Sequence, residues 1–342
     1  MEPHMRKGQD RLICEVLEKG LCVRCGACVG FCPYFNFFDG QVVVIDPCQA
    51  DSERCYRVCP MTGTPEASTA AHEGEGIGPI EEIVMSRAVR ADRRDTSQYG
   101  GVVTTLMTYA LEKGLIESAV LTTKGDAFSP QGWEARDKED ITRCAGSRYT
   151  ASGSLSVLNR ALKQGRRNLG VVGLPCQMMA LANMTEAWAE TEGLDERIGI
   201  KIGLFCTWAL DYRTLTEFLE KEDVKGPFLK CDIPPPPAEV FQVRTQDGWR
   251  DFPLSKIRPY VQKGCLLCED MTAEKSDISV GAVEGLDEWN TVILRTEKGS
   301  RLFRSAIKDG WLETETLPRE NLEHLKEAAH KKRERGKGNK DD

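Results

Sequence analysis

No apolar run in this chain approaches the ~20 residues a helix needs to cross a bilayer. The opening stretch MEPHMRKGQDR is polar and has no h-region, so no secretory signal is expected there. An excess of positive charge is also missing. Against 46 Lys and Arg stand 53 Asp and Glu, a net charge of −7, whereas phosphate binding needs a basic face. Nucleic acid is therefore not expected as a partner. The G-x-G-x-x-G fingerprint is absent, and with it the expectation of a Rossmann NAD site. Histidine is scarce: His4, His72, His324 and His330 are the only ones, and all fall outside the motifs below. Little side-chain acid–base chemistry is expected. These absences suggest a cytoplasmic protein.

Cysteine is abundant instead, with fourteen residues. In a reducing compartment, metal or redox chemistry explains so many better than disulfides do. The run Cys22-Val23-Arg24-Cys25-Gly26-Ala27-Cys28-Val29-Gly30-Phe31-Cys32-Pro33 is a complete C-x2-C-x2-C-x3-C-P. This is the spacing by which bacterial-type ferredoxins hold a [4Fe–4S] cluster, with the fourth Cys pointing to a second cluster. Gly26 lets the backbone fold closely around an inorganic core. A zinc knuckle prefers two separated pairs.

The stretch DPCQADSERCYRVCP reads as a degenerate second ferredoxin motif: Cys55-x3-Cys59-Pro60 is present, but the C-x2-C-x2 before it is not. In the two-cluster arrangement Cys59 completes the site of Cys22, Cys25 and Cys28. Cys32, Cys48 and Cys55 then form a set one thiolate short. Asp46, Asp51 or Cys14 is open to fill the vacancy. A three-iron cluster is another solution, and simple packing after loss of a site is a third.

At ~150 residues per domain, 342 residues suggest about two domains. A hydrophobic share of 40% suffices for a sizeable core. Residues 10–66 are expected to form a small ferredoxin-like domain. Met61 to Pro79, rich in Gly, Ala, Thr and Pro, reads as a linker or wrapping loop. An α/β domain is expected over 80–325, because strand and helix patterns alternate there. Strands are expected at Ile83–Val89, Ala119–Thr123, Leu169–Gly173 and Ile198–Cys206. Helices are expected over Val102–Lys113 (with Gly114 as C-cap), Ser154–Leu162 and Asp211–Glu222. Pro234 to Pro237 breaks this regularity. Val240–Thr245 and Thr291–Arg295 look like strands of a more irregular region. The charged tail, 326–342, reads as a solvated, frayed terminus, or else as a segment that docks on an acidic partner.

Cys176 follows one expected strand and Cys206 ends another, while Cys265-x2-Cys268 lies on a loop. Strand ends of an α/β sheet converge on one edge, where ligands bind. Four thiolates gathered there would make another S4 site, for an iron–sulfur cluster or for structural zinc. The nearby ferredoxin run favours the cluster. Cys14, Cys144 and Cys231 are left over as free buried thiols. Gly100-Gly101 precedes a helix, where backbone N–H groups can hold a phosphate; a plain helix-initiating turn explains it equally well.

The segments QYGGVVTTLMTYALEKGLIESAV, RCAGSRYTASG, GLPCQMMAL, IGIKIGLFC and CLLCEDMTAEKSDISVGAVEG occur in that order. They resemble the beta subunits of coenzyme F420-reducing hydrogenase and F420-linked formate dehydrogenase, and related F420H2-oxidising modules. The resemblance spans roughly residues 80 to 300. It implies a flavoprotein that binds FAD and a [4Fe–4S] cluster and exchanges hydride with coenzyme F420, a deazaflavin. The cluster ligands it implies are Cys176, Cys206, Cys265 and Cys268. The implied FAD contacts are Gly100, Gly101, Thr104, Ser147, Arg148 and Tyr149. Lys201 is open to a place at the flavin or deazaflavin ring, or to one at a solvated strand edge. Arg258 and Lys263 are candidates for the F420 entry, since that coenzyme carries a phosphate and a polyglutamate tail.

The implied chemistry is conversion between hydride and single electrons, with two [4Fe–4S] clusters and room for a third. Implied partners are hydrogenase, formate dehydrogenase or heterodisulfide reductase-type redox subunits. A host without F420 would call for NAD(P)H or a protein donor. Outside the enzyme class, a pure electron-transfer adaptor would need no flavin pocket.

Overall fold

Thirteen strands organise the described chain, and an eight-stranded mixed sheet carries most of its core. The computed structural model describes residues 8–62, 76–126, 129–188, 193–234 and 238–341. The expected linker is therefore outside the described residues over 63–75, as are Pro235 to Pro237 of the proline loop.

The strands of the large sheet are β3 (Glu82–Ala88), β4 (Ser118–Asp126), β5 (Ser129–Ala135), β6 (Leu169–Gly173), β7 (Ile198–Leu204), β11 (Ile278–Ala282), β12 (Asn290–Leu294) and β13 (Leu312–Glu315). Their order is β13-β3-β12-β11-β7-β6-β4-β5. At the centre β11, β7, β6 and β4 run parallel, whereas β5, β12, β3 and β13 each pair antiparallel with a neighbour. Every residue of β6 is buried, as a continuous apolar run covered on both faces should be.

Alternate side chains feed two cores. On one face Leu121, Val172, Ile200 and Ile202 pack under the helices Val102–Glu112 and Glu297–Lys308. On the other, Val120, Val171 and Ile198 pack under Ser154–Lys163 and Pro175–Ala187. Cys25, Ala27 and Val58 belong to this second core, so the cysteine-rich segment is built onto the sheet rather than tethered beside it. That segment adds its own hairpin, β1 (Phe35–Phe38) with β2 (Gln41–Val44). A small antiparallel sheet, β8 (Lys230–Asp232), β9 (Val240–Thr245) and β10 (Gly248–Pro253), packs with the helix Tyr212–Lys221.

Two expectations are corrected. The segment near Thr291–Arg295 does not belong to an irregular region: β12 lies inside the large sheet, paired on both sides and buried throughout. The charged tail is not frayed. Arg319–Asp341 forms a 23-residue helix whose Ala329, Lys332 and Arg333 are buried against the body of the protein.

Candidate functional site

Two openings in the structure are each lined by four cysteines. The first, about 350 Å³, is bounded by Cys22, Cys25, Cys28 and Cys59 with an otherwise largely apolar wall. Its loop is held by the helix Ser154–Lys163: the Leu155 N–H donates to the Cys25 carbonyl, and Asn159 Nδ2 donates to the carbonyls of Ala27 and Val29 at 2.9 and 2.8 Å. Gly26 has φ +89°, and a Cβ there would lie 2.6 Å from the Gly153 carbonyl oxygen, so the close approach requires glycine. Arg24, at φ +58°, is buried and pairs with Asp211, whose other oxygen accepts from the Arg213 and Thr214 N–H groups.

The second opening, about 340 Å³, is bounded by Cys176, Cys206, Cys265 and Cys268. Cys176 sits in the first turn after β6, with Pro175 opening the helix, and Cys206 follows the end of β7. Cys265 sits in a one-turn helix, Lys263–Leu266, with Cys268 just after it, and the Ala209 N–H donates to Cys265 Sγ at 3.4 Å. The carboxyl ends of two adjacent parallel strands thus bring these thiols to one edge. Val23 lines both openings, so they meet across a single side chain.

Burial in this apolar setting pushes the thiols up, Cys25 and Cys206 to about 12 and Cys28, Cys59 and Cys176 well above their ordinary value. Neighbouring thiols add to the shift. Four thiolates can share such a space only around a cationic core, and an all-sulfur donor set suits zinc or iron–sulfur centres. Among the described residues no group of three or more His, Cys, Asp or Glu could hold a metal ion as it stands. The thiols instead surround openings, which fits a cluster larger than one atom.

The third set is also gathered. Cys55 experiences the charges of Cys32 and Cys48, and Cys28 and Cys59 experience that of Cys55. Cys48 is held by its N–H donating to Gln9 Oε1.

Of the residues assigned to FAD, Tyr149 is fixed by Asp232 on β8, which also holds Gln98. Tyr149 and Gln98 both donate to Asp232 Oδ1, at 2.9 and 2.8 Å, and the Ile233 N–H donates to the Tyr149 hydroxyl. Burial, followed by the Asp232 charge, pushes the Tyr149 phenol well above its ordinary value. Gly101 (φ +71°) caps the helix Val102–Glu112, with the Val102 N–H taken by Asn290 Oδ1. Gly100 accepts from the Ala88 N–H, and Thr104 accepts from the Ser97 hydroxyl. Arg148 bonds its own turn at the carbonyls of Ser147 and Ala145, yet its Nε and Gln98 Oε1 are buried without partners. Two orphaned buried polar atoms fit a polar ligand.

Lys201 stands elsewhere. Its ammonium lies 4.0 Å from Asp195, just ahead of β7, and its N–H donates to Asp277, just ahead of β11. That is the edge where the parallel strands begin, opposite the thiols. Arg258 and Lys263 are exposed near the second opening's one-turn helix. Sequence reasoning missed Val23, Arg24, Asn159, Asp232 and Lys332. Val23 and Arg24 stand only at the variable positions of the first C-x2-C, and the other three stand in no motif; each acquires its place from a partner distant in sequence.

A mixed α/β sheet gathering sulfur ligands at its strand ends is the scaffold of a redox protein. Residues 83–159 and 166–320 match the models of the N-terminal and C-terminal parts of the coenzyme F420 hydrogenase/dehydrogenase beta subunit. The chain belongs to this family. It is 33% identical over 245 residues to the coenzyme F420 hydrogenase subunit beta of Methanothermobacter thermautotrophicus, covering 70% of this chain and 86% of that protein. Coenzyme F420-dependent sulfite reductase of Methanocaldococcus jannaschii is 30% identical over 338 residues, covering 94% of this chain and about half (52%) of that longer protein. Among solved structures, a chain of the F420-reducing [NiFe] hydrogenase complex from Methanosarcina barkeri superposes with a TM-score of 0.71 at 28% identity, covering 78% of this chain and 93% of that one. No helix of the described residues is long and apolar enough to cross a membrane.

Proposed function

We propose that this chain is a flavin iron–sulfur oxidoreductase subunit of the cytoplasm, which exchanges hydride between coenzyme F420 and FAD and passes single electrons to or from a partner redox subunit. The observation that carries this reading is the pair of four-cysteine openings meeting at Val23, in a chain of the F420 hydrogenase/dehydrogenase beta subunit family. FAD, when bound, supplies the junction between two-electron and one-electron chemistry.

The chain's own residues do the positioning. Gly100, Gly101 and Thr104 at a helix start, with Gln98, Ser147, Arg148 and Tyr149, would hold the flavin. Asp232 fixes Gln98 and Tyr149. Cys176, Cys206, Cys265 and Cys268 would hold one [4Fe–4S] cluster, and Cys22, Cys25, Cys28 and Cys59 another. Cys32, Cys48 and Cys55 are the site of a third, with its fourth ligand open. The turn bearing Tyr149 runs directly into Ala151, which lines the second opening, so the flavin site adjoins that quartet. Exposed Arg258 and Lys263 suit the acidic tail of F420. Partners of this electron path are hydrogenase, formate dehydrogenase or heterodisulfide reductase-type subunits, with the hydrogenase type supported by the named relatives.

The test is a titration of the anaerobically purified, cofactor-loaded protein with reduced coenzyme F420, followed by visible absorbance. The expected result is rapid bleaching of the flavin and cluster bands with recovery of F420 absorbance. No bleaching in a flavin-loaded protein overturns F420 as substrate and turns the search to NAD(P)H or a protein donor.

A further inference from the structure

We infer that Lys332, on the helix Arg319–Asp341, is a positioning residue for charge at the Cys176/Cys206/Cys265/Cys268 site, raising the reduction potential of the cluster held there. The inference rests on the proposed cluster at that site, and it concerns a helix that lies almost wholly beyond the matched family model, which ends at residue 320.

Lys332 is 3% exposed, and its side chain lines the second opening alongside the four cysteines. Its ammonium donates to the Cys206 carbonyl at 2.6 Å. Among the described residues no carboxylate lies within ion-pairing distance of it. Asp270, the acid that bears on it electrostatically, accepts from the N–H groups of Thr272, Ala273 and Glu274 and is committed to that turn. A lysine buried without a paired carboxylate is costly unless a negative charge faces it. The charge available is that of the thiolate site itself. Four thiolates outweigh the charge of an iron–sulfur core, and reduction adds one more negative charge. A fixed cation therefore favours the reduced state, and net local charge is one of the levers on cluster potential.

The helix is built to hold that cation in place. Arg333 pairs with the half-buried Glu274 at 2.5 Å, and Arg335 donates to the Thr207 carbonyl. Asn339 donates to the Leu266 carbonyl, and Lys340 pairs with Glu269 at 2.6 Å. Gly336 lies against the Cys268 carbonyl, where a Cβ would come within 3.0 Å. The clasp thus touches the loops carrying Cys206, Cys265 and Cys268.

The test is an EPR-monitored redox titration of the anaerobic holoprotein and of Lys332→Met, Lys332→Gln and Lys332→Arg. A Cys176→Ser variant assigns the signal. The expected result is a lower midpoint for this cluster in the Met and Gln variants, by about a tenfold change in the one-electron equilibrium, equivalent to about 59 mV. The Arg variant should stay near the wild type, and the Cys22/Cys25/Cys28/Cys59 signal should not move. Only variants retaining the iron of this site are compared, and equal midpoints among them overturn the inference. Loss of iron in all three assigns Lys332 to folding and overturns it as well. A wild type in which Cys176→Ser removes no cluster signal overturns instead the cluster reading on which the inference rests.

Discussion

At the scale of residues, one buried amide bears on the first cysteine loop more than its chemistry suggests. Asn159 is 2% exposed and gives both protons of its Nδ2 to the carbonyls of Ala27 and Val29, between Cys25 and Cys32. Asn159→Ala would leave two carbonyls buried without donors, at a cost of roughly 2–4 kcal/mol. We expect the variant to lose iron from the Cys22/Cys25/Cys28/Cys59 site while retaining it at the Cys176 site. Iron counting and EPR on anaerobic protein would check this, and an unchanged first-site signal would refute it. The cysteines of this loop were legible in the sequence because their spacing is a motif. Asn159 was not, because its partners lie 130 and 132 positions away and no local pattern records the contact. Lys201 shows the converse: proximity in sequence to Cys206 suggested a shared site, but three or more residues of strand carry its side chain to the opposite edge of the sheet.

Among elements, the seam between the cysteine-rich segment and the start of the helix Tyr212–Lys221 is closed by Arg24 and Asp211. Burial alone would raise the Asp211 carboxyl, but the Thr214 N–H and the Arg24 guanidinium hold it below the ordinary carboxylate range. A depressed folded-state pKa stabilises the fold above the unfolded value of about 3.9, and that stabilisation is lost as pH falls through the folded value. Asp211→Asn keeps a good helix cap and removes the charge, so it isolates the ion pair. At neutral pH the variant should be less stable by roughly 2 kcal/mol, with the gap to wild type narrowing below about pH 4. Denaturant midpoints of both proteins across pH would show it; a gap independent of pH would assign the loss to packing. The helices and inner strands were readable because their apolar periodicity is local. The last helix was not, because Lys and Arg dominate it and read as solvated. Its burial depends on carbonyls and acids of the loops beneath, such as Cys206, Thr207 and Glu274. The strand β12 was misplaced for a related reason: the short apolar run Val292 to Leu294 records that it is a strand, not which neighbours flank it.

For the whole molecule, the three cysteine sets fall in sequence outward from the site proposed for the flavin. Tyr149 leads through Ala151 to the Cys176 quartet; Cys25 bears electrostatically on Cys176, and Cys55 on Cys28 and Cys59. If electrons follow that order, removing the Cys176 quartet severs the wire without touching the flavin site. A Cys265→Ser variant mixed rapidly with reduced F420 should still bleach its flavin at close to the wild-type rate. Its Cys22/Cys25/Cys28/Cys59 cluster should stay oxidised on that timescale. A Cys59→Ser variant should behave differently, reducing both flavin and the Cys176-site cluster while losing the signal of the first site. Freeze-quench EPR separates the two cases, because each cluster is read in the absence of the other. Fast reduction of the first-site cluster in Cys265→Ser would mean that electrons bypass the quartet beside the flavin. The shared wall at Val23 would then be a packing contact and not a step in the path.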